Sequence, residues 1–505
     1  MEPVDRTVAQ FGDLPLNMSQ TREYLKFTKV EELTAELDGQ SVLVRARVQR
    51  VRGRGKSAFV LLREQFATVQ CCCFASEEIP RPMVKYIQKI QPESMIDIVG
   101  TVTIPPKPIS GASQPVEVQI EKVYVVNRSV PTLPFQMNDA LMTPATRAEK
   151  GIGEISRDKR LDNRVFDLRV PTNLAIFKIQ AMIGQLFREF LMKNNFLEIH
   201  SPKIIGGSSE GGSNVFFLEY FGREAALAQS PQLYKQMAIC ADFGRVFEVA
   251  PVFRAENSMT HRHMTEFVGF DVEMEIKEHY HEALELWGEL MIYILKNVEE
   301  RCAKEIEIVR EQYPAEPFLI PDEVPIFTYA QAVEWLNNDL QNRIIPQVES
   351  GELELTKEEK ESYVMLEPTD DIDTCNEKRL GVIIHNMHGT DLYTIDKFPL
   401  SHRPFYTMPD PVDPTITNSY DIFLRGEEIC SGAQRIHEVE ALLKRAEECG
   451  LDVNTLKDYA ESFQYGATAM AGAGFGCERL VLFYLGIDNI RNCSLFPRDP
   501  KRLYP

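Results

Sequence analysis

From Val268 to Ile276 apolar side chains fall on every even position (Val268, Phe270, Val272, Met274, Ile276), while the odd positions from 267 carry Phe267, Gly269, Asp271, Glu273 and Glu275. A period of two is the mark of a β-strand with one face against a core. The other face presents an aromatic ring, a bare backbone position and three carboxylates. A water-facing strand of an antiparallel sheet would share this pattern. Glycine beside carboxylates also fits close approach of a ligand.

The segment before this strand reads as a strand ending in Arg254, then a polar loop with Glu256, His261, Arg262 and His263. Strand, loop and strand bring Arg254, Arg262 and His263 to one end of a hairpin, as an anionic ligand requires. His261 and His263 are also metal-ligand types, but no third ligand lies near them in sequence, and solvated loop residues are the better description of the pair. Near the C-terminus, residues 472–479 join a glycine-rich stretch to an apolar helix. The spacing is not that of a dinucleotide fingerprint. Arg479 falls in the first helical turn, where backbone N–H groups and charge favour a phosphate; a plain strand-to-helix turn is the alternative. Residues 421–437 read as a hairpin turning at residues 425–427. Asp421, Glu428 and Ser431 are hard oxygen donors suited to Mg²⁺. Strict alternation separates Glu428 from Ser431 and Arg435, so a shared site needs a bulge near Gly432 or a bent strand.

A chain of 505 residues implies about two to four domains. Residues 1–27 lack periodicity and read as a flexible extension. Residues 28–130 follow the order βββαββ, with strands near 42–48, 58–63, 67–74, 96–104 and 116–126, which is the order of an OB-fold barrel. Residues 131–170 are loop-rich and read as a linker. Residues 171–505 form a larger domain, with a helix capped by Asn173, another over 278–302, and an insertion around 305–415. Within it, residues 349–377 carry 11 acidic residues against 2 lysines, a surface excursion.

The net charge of −20 argues against a polyanionic partner for the chain as a whole. Residues 41–63 argue the reverse, with seven basic residues and no acid. The ten cysteines show no paired C-x-x-C spacing, so zinc is not expected and reduced thiols are. No apolar run approaches the roughly 20 residues of a membrane span, and no secretory or transit signal opens the sequence. The expected compartment is the cytoplasm.

Three ordered segments resemble the signatures of class II aminoacyl-tRNA synthetases: Asn195-Phe196-Leu197-Glu198-Ile199 through Pro202, Phe253-Arg254-Ala255-Glu256 through Phe267, and Gly474-Phe475-Gly476-Cys477-Glu478-Arg479. Within that class, residues 229–236 and 431–437 resemble the aspartyl enzymes of eukaryotic cytosolic and archaeal type. The resemblance runs from about residue 40 to Pro505. It implies an N-terminal all-β OB-fold barrel that binds the anticodon, followed by an α+β catalytic domain on an antiparallel sheet flanked by helices.

The resemblance further implies ATP as substrate, held by Arg254, Glu256, Arg262, His263, Phe267, Glu428, Ser431, Gly476 and Arg479, with Arg254, Glu428 and Arg479 catalytic. Mg²⁺ would sit on Asp421, Glu428 and Ser431. L-Aspartate would be held by Ser209, Glu210, Ser230, Gln232, Lys235, Asp271, Glu273 and Arg435. Phe59, Gln70 and Glu117 would read the anticodon of tRNA(Asp), and Pro202 would lie at a homodimer interface. A multi-synthetase complex is compatible with such a chain. The Lys-rich arm of lower eukaryotic members has no counterpart in residues 1–27, whose basic residues are Arg6, Arg22 and Lys26. Rival readings are an asparaginyl-tRNA synthetase, an ammonia-dependent asparagine-forming ligase and a non-catalytic tRNA-binding relative.

Overall fold

The structure, a computed structural model, describes residues 3–19, 22–206 and 215–504. Ser209 and Glu210 lie outside the described residues. The chain divides into two compact units, Met1–Pro171 and Thr172–Pro505.

In the first unit, β1 (Phe11–Asp13), β2 (Ser41–Arg54), β3 (Ser57–Glu64), β4 (Ala67–Phe74), β5 (Met95–Thr103) and β6 (Glu117–Asn127) run in the order β1-β6-β4-β3-β2-β5. Pairing of β5 with β6 closes strands β2 to β6 into a barrel. The alternation of residues 42–48 does what it predicts: Val42, Val44, Ala46 and Val48 are buried, together with Val60, Leu62, Cys71 and Ile98. Helix α1 (Arg81–Ile87) adds Met83, Val84 and Ile87 to the same core.

Alternation then breaks. Val48 pairs with Leu62 but Arg50 with Leu61, so Gln49 is an extra residue in β2. This bulge flips the parity and brings Arg52 opposite Phe59, on the outward face.

Part of the stretch expected to be a loose extension is ordered, since β1 pairs in parallel with β6. Arg128 donates two bonds to Asp13 at 2.8 and 2.6 Å, and the Tyr124 hydroxyl donates to the Ala9 carbonyl at 2.7 Å. Residues 131–170, expected as a linker, hold α2 (Met137–Ala140), α3 (Pro144–Lys150), α4 (Arg157–Asp162) and α5 (Arg164–Asp167), with a small core of Phe135, Met137, Ala140 and Val170.

The second unit opens with α6 (Pro171–Lys193), then β7 (Leu197–Glu198), a three-stranded sheet of β8 (Ile204–Ile205), β9 (Phe217–Tyr220) and β10 (Arg223–Leu227), and α7 (Gln232–Cys240). Asn173 lies inside α6 rather than capping it. Proline at position 171 suits a first helical residue, because its missing N–H would have no intrahelical partner there.

The main sheet comprises β11 (Arg245–Phe253), β12 (Glu266–Glu275), β13 (Ile326–Thr328), β14 (Leu392–Asp396), β15 (Ser419–Leu424), β16 (Glu427–Gln434) and β17 (Met470–Gly476), joined at one edge by β7. Its order is β13-β14-β15-β16-β17-β12-β11-β7. The pairs are antiparallel except at the two edges, β13–β14 and β11–β7.

Helices α8 (His281–Arg301) and α9 (Ala303–Gln312) follow β12. Ring contacts join Phe187 of α6 to Phe247, Phe270 and Phe475 of the sheet, and Trp287 of α8 donates to the Tyr420 hydroxyl at 2.8 Å. The even side chains of β12 therefore meet the helices, which leaves its odd face for the site.

The stretch expected as an insertion is only partly one, because β13 and β14 are strands of the main sheet. Between them lie α10 (Tyr329–Asp339), α11 (Ile345–Ser350), α12 (Lys357–Ser362) and α13 (Thr374–His388). Helix α13 packs on the two-residue turn Arg425-Gly426. A methyl group on Gly381 would come within 2.5 Å of the Gly426 backbone, so a side chain at 381 would push this helix off the hairpin. Helices α14 (Val439–Glu448), α15 (Lys457–Phe463) and α16 (Cys477–Leu485) complete the unit.

Candidate active site

The odd face of β12 is not wet. Asp271 is 6% exposed and Glu273 fully buried, and both line up against glycines of β17: Glu273 pairs with Gly472, Asp271 with Gly474, Gly269 with Gly476. A Cβ on Gly472 would stand 1.9 Å from a Glu273 carboxylate oxygen, and one on Gly474 3.2 Å from Asp271. The glycine run therefore makes room for two carboxylates as well as for a ligand.

Two cations meet them. The Lys235 ammonium, from α7, donates to Asp271 Oδ1 and to the Ala473 carbonyl at 3.0 Å each, with Glu273 at 3.7 Å. Arg435 grips Glu273 through Nε at 2.9 Å and Nη2 at 3.0 Å, and Nη2 reaches Gln232 Oε1 at 3.5 Å. Burial opposes the Arg435 charge, but Glu273 raises its pKa above the ordinary arginine value. Gln232 Nε2 is buried with no partner among the described residues. Ser230 is buried just before α7 and accepts from the Gln232 N–H at 3.3 Å.

A cavity of about 350 Å³ opens beside this quartet, bounded by Arg254, Glu256, Arg262, His263, Phe267, Glu428, Ser431, Gly476 and Arg479 together with Ser230, Gln232, Asp271 and Arg435. The Arg254 guanidinium carbon lies 5.4 Å from the Phe267 ring centre. Arg479, in the first turn of α16, lies 3.4 Å from Glu428 and 3.4 Å from His263 Nε2. Burial lowers the His263 pKa to about 4, and Arg479 and Arg262 add to the effect. The imidazole is therefore neutral at pH 7.

Arg262 lines the cavity but is already engaged, with Nη1 on Glu377 at 2.7 Å and Glu427 at 3.0 Å and Nη2 on the Thr374 hydroxyl at 2.7 Å. Glu377 comes from the acidic stretch expected to face solvent. Its pKa rises to about 7 because it is buried near Glu428 and Glu427, with Arg262 opposing.

Glu428 and Ser431 do share a face. Ile422 pairs with Cys430 but Phe423 with Glu428, so Ile429 is the extra residue. The bulge expected near Gly432 stands at Ile429. It aligns Glu428 with Ser431 and Asp421 on the cavity side.

Asp421 and Ser431 are held by Arg403, a residue the sequence reading missed: Nη1 donates to Asp421 Oδ1 and Ser431 Oγ at 2.9 Å each, and Nη2 to Asp421 Oδ2 at 2.8 Å. Burial raises the Asp421 pKa against the pull of Arg403. No cluster of three His, Cys, Asp or Glu side chains placed to hold a metal occurs among the described residues. Pro202, between β7 and β8, is exposed.

In the barrel, Phe59, Gln70 and Glu117 share the outward face. Gln70 donates to Glu117 at 2.6 Å and receives Arg52 at 3.4 Å. Phe74, 51% exposed, meets Phe59 edge-on at 5.6 Å, a second outward ring that was not anticipated. The basic run is divided. Arg45 is tied to Asp97 at 2.6 Å and Arg63 to Glu93 at 2.8 Å, whereas Arg52, Arg54 and Lys56 are exposed.

Fold and site together define a class II aminoacyl-tRNA synthetase. Residues 156–500 match the family tRNA synthetases class II (D, K and N), and residues 42–126 match the OB-fold nucleic acid binding domain. Over 503 residues the chain is 44% identical to aspartate–tRNA ligase 1, cytoplasmic, of Arabidopsis thaliana, covering 98% of this chain and 90% of the relative. It is 43% identical to the cytoplasmic aspartate–tRNA ligase of Homo sapiens, covering 99% and 96%. The aspartyl-tRNA synthetase structure from Entamoeba histolytica matches with a TM-score of 0.86 at 42% identity, covering 100% of this chain and 98% of that one. The chain belongs to this class II family and, within it, to the aspartate–tRNA ligases.

ATP is its substrate and tRNA its partner. Among the described residues no helix is long and apolar enough to cross a membrane.

Proposed function

We propose that the chain activates L-aspartate with ATP to aspartyl-adenylate, releasing pyrophosphate, and transfers the aspartyl group to the 3′-hydroxyl of the terminal adenosine of tRNA(Asp). The observation that carries this reading is a pair of buried cations at one end of the cavity, Arg435 in its lining and Lys235 bonded to Asp271 of that lining. Both are donors with no acceptor. An aspartate carboxylate accepts from them, whereas the amide N–H₂ of asparagine would meet donors with a donor. A site whose hydrogen-bonding groups face the wrong partner discriminates strongly. Arg435 spends Nε and Nη2 on Glu273, so Nη1 is available to the substrate, as is Gln232 Nε2. Asp271 and Ser230 then face the substrate ammonium, with Ser209 and Glu210 assigned to the same pocket from the family resemblance alone.

At the other end, Phe267 stacks the adenine and Glu256 accepts from it. Arg254 holds the α-phosphate, where charge builds as the carboxylate attacks, and Arg479 and His263 hold the outer phosphates. Arg262 reaches a phosphate only by leaving Glu377 and Glu427. Glu428, Ser431 and Asp421 are the oxygen donors for Mg²⁺, which they fit in type and in face. When bound, the ion shields phosphate charge during the displacement. No protein nucleophile is required.

Phosphates beside His263 favour the imidazolium, so ATP binding takes up a proton between about pH 4, the ligand-free value, and the higher value of the complex. Calorimetry of ATP binding at pH 5.5 in buffers of different ionisation enthalpy should show that uptake, and His263→Asn should remove it. Equal heats in every buffer for the unaltered protein would take His263 away from the phosphates.

On the barrel, Phe59 stacks an anticodon base while Gln70 and Glu117 read base edges. Stacking is worth about 1–3 kcal/mol per base, so Phe59→Ala is expected to raise the Kd for tRNA about tenfold or more. An unchanged Kd would remove Phe59 from the interface.

The segment through Pro202 is assigned to a homodimer interface, and the cytoplasm is the compartment, in line with the names of the relatives. Aminoacylation of purified tRNA(Asp) with aspartate tests the whole reading. Charging is expected; exchange of pyrophosphate without charging would restrict the chain to the first step.

A further inference from the structure

Two of the three oxygen donors assigned to Mg²⁺ are not free to take it. Arg403 forms a fork on both oxygens of Asp421, at 2.9 and 2.8 Å, and the same Nη1 reaches Ser431 Oγ at 2.9 Å. Its side chain is 8% exposed, its guanidinium carbon lies 3.8 Å from the Phe398 ring centre, and its Nε is buried without a hydrogen-bond partner among the described residues. Arg403 is therefore held by packing as well as by charge. The third donor, Glu428, has no hydrogen bond or ion pair with Arg403; it pairs with Arg479 at 3.4 Å. Asp421 and Ser431 are thus held by one guanidinium, that of Arg403, and Glu428 by another, that of Arg479.

We infer that Arg403 is a positioning residue that holds Asp421 and Ser431 as a resident counter-ion, and that a divalent cation must displace it from them to reach its full set of donors. The inference rests on the reading of Asp421, Glu428 and Ser431 as the metal site. The physical reason is competition for the same lone pairs. The fork takes two of the roughly four lone-pair sites of the Asp421 carboxylate, and the positive guanidinium within a few ångströms repels a divalent ion. Arg403 lies on the loop between β14 and β15, just after the short turn Leu400–His402, rather than on a strand. Its displacement requires no strand of the sheet to move. The arrangement keeps the two donors together before the metal arrives and lowers the affinity of the ligand-free protein for it.

The test uses Mn²⁺ alone, titrated into the full-length, nucleotide-free protein and followed by electron paramagnetic resonance of the free ion. Arg403→Met keeps the length and the contact with Phe398 while removing the charge. It is expected to bind Mn²⁺ at least tenfold more tightly than the unaltered protein, and Arg403→Lys, a point charge without the fork, is expected to fall between them. The half-saturating Mg²⁺ concentration for pyrophosphate exchange should fall in the same order. A role that is only structural would weaken the metal site on substitution, not strengthen it.

Should Arg403→Met fail to fold, which thermal unfolding reports, the Arg403→Lys protein still decides, because an affinity equal to or below that of the unaltered protein overturns the inference. Glu428→Gln separates the two levels. If it weakens Mn²⁺ binding while the Arg403 variants leave it unchanged, Arg403 has no such role and the metal assignment stands. If neither Glu428→Gln nor Asp421→Asn alters Mn²⁺ binding, the metal assignment falls and this inference falls with it.

Discussion

Lys235→Leu is expected to abolish aspartate-dependent ATP–pyrophosphate exchange, with a loss of at least about a thousandfold, the scale at which a site built to bind a polar group loses its partner. The ammonium has two duties. On the proposed reading it donates to the substrate carboxylate, and it neutralises Asp271 at 3.0 Å, where the two side chains are only 2% and 9% exposed. Removing one member of a buried pair leaves the other uncompensated, at about 3–5 kcal/mol. The single variant should therefore lose stability along with activity. Lys235→Leu combined with Asp271→Asn distinguishes these effects: denaturant unfolding should recover most of the lost stability, while exchange stays absent. Restored exchange in the double variant would show that Lys235 serves only the fold.

Gly472→Ala is expected to be nearly as damaging, although it adds a single methyl group. That carbon would stand 1.9 Å from Glu273 Oε2 and 2.4 Å from the Val272 carbonyl oxygen, neither of which has space to retreat. Glu273 is fully buried and anchored by two bonds to Arg435. Overpacking costs about 1–3 kcal/mol. Loosening the Glu273–Arg435 pair adds to it and misaims the guanidinium proposed to meet the substrate. The expected outcome is a large fall in the unfolding midpoint together with a raised KM for aspartate. Gly474→Ala, whose methyl group meets Asp271 at 3.2 Å, should be milder. Equal stability of Gly472→Ala and the unaltered protein would mean that β17 can shift away from β12.

Much of this was legible because period-two alternation is a local signal. Residues 42–48 and 268–276 declare their buried faces without any knowledge of their neighbours. Bulges are not legible in the same way, since Gln49 and Ile429 each add one residue with no change in composition, yet each decides which side chains share a surface. The bulge at Ile429 was demanded by chemistry but placed near Gly432, because glycine is where a bend is looked for.

Charge was misread for a related reason. Residues 41–63 contain no acid, but Asp97 and Glu93 arrive from the strand region around β5 to neutralise Arg45 and Arg63. Likewise Glu377 looks like one more solvated acid in a run of them, and Arg403 like a loop cation. Both are brought to the site by pairings that span tens of residues. From the sequence, the glycines at 472, 474 and 476 read as a glycine-rich lead into an apolar helix. That Gly472 and Gly474 admit side chains of the neighbouring strand depends on register, which no single segment contains.

The acidic whole and the basic outward hairpin of the barrel coexist because they belong to different surfaces. Arg52, Arg54 and Lys56 remain exposed near Phe59 and Phe74, where a single-stranded anticodon would meet both charge and rings. The measurement that bears most directly on the central claim, that Lys235 and Arg435 select a carboxylate side chain, is ATP–pyrophosphate exchange by the purified chain with aspartate and with asparagine as alternative substrates. Exchange is expected with aspartate, and a kcat/KM for asparagine lower by about a thousandfold or more. Comparable exchange with asparagine, or a preference for it, would contradict the account.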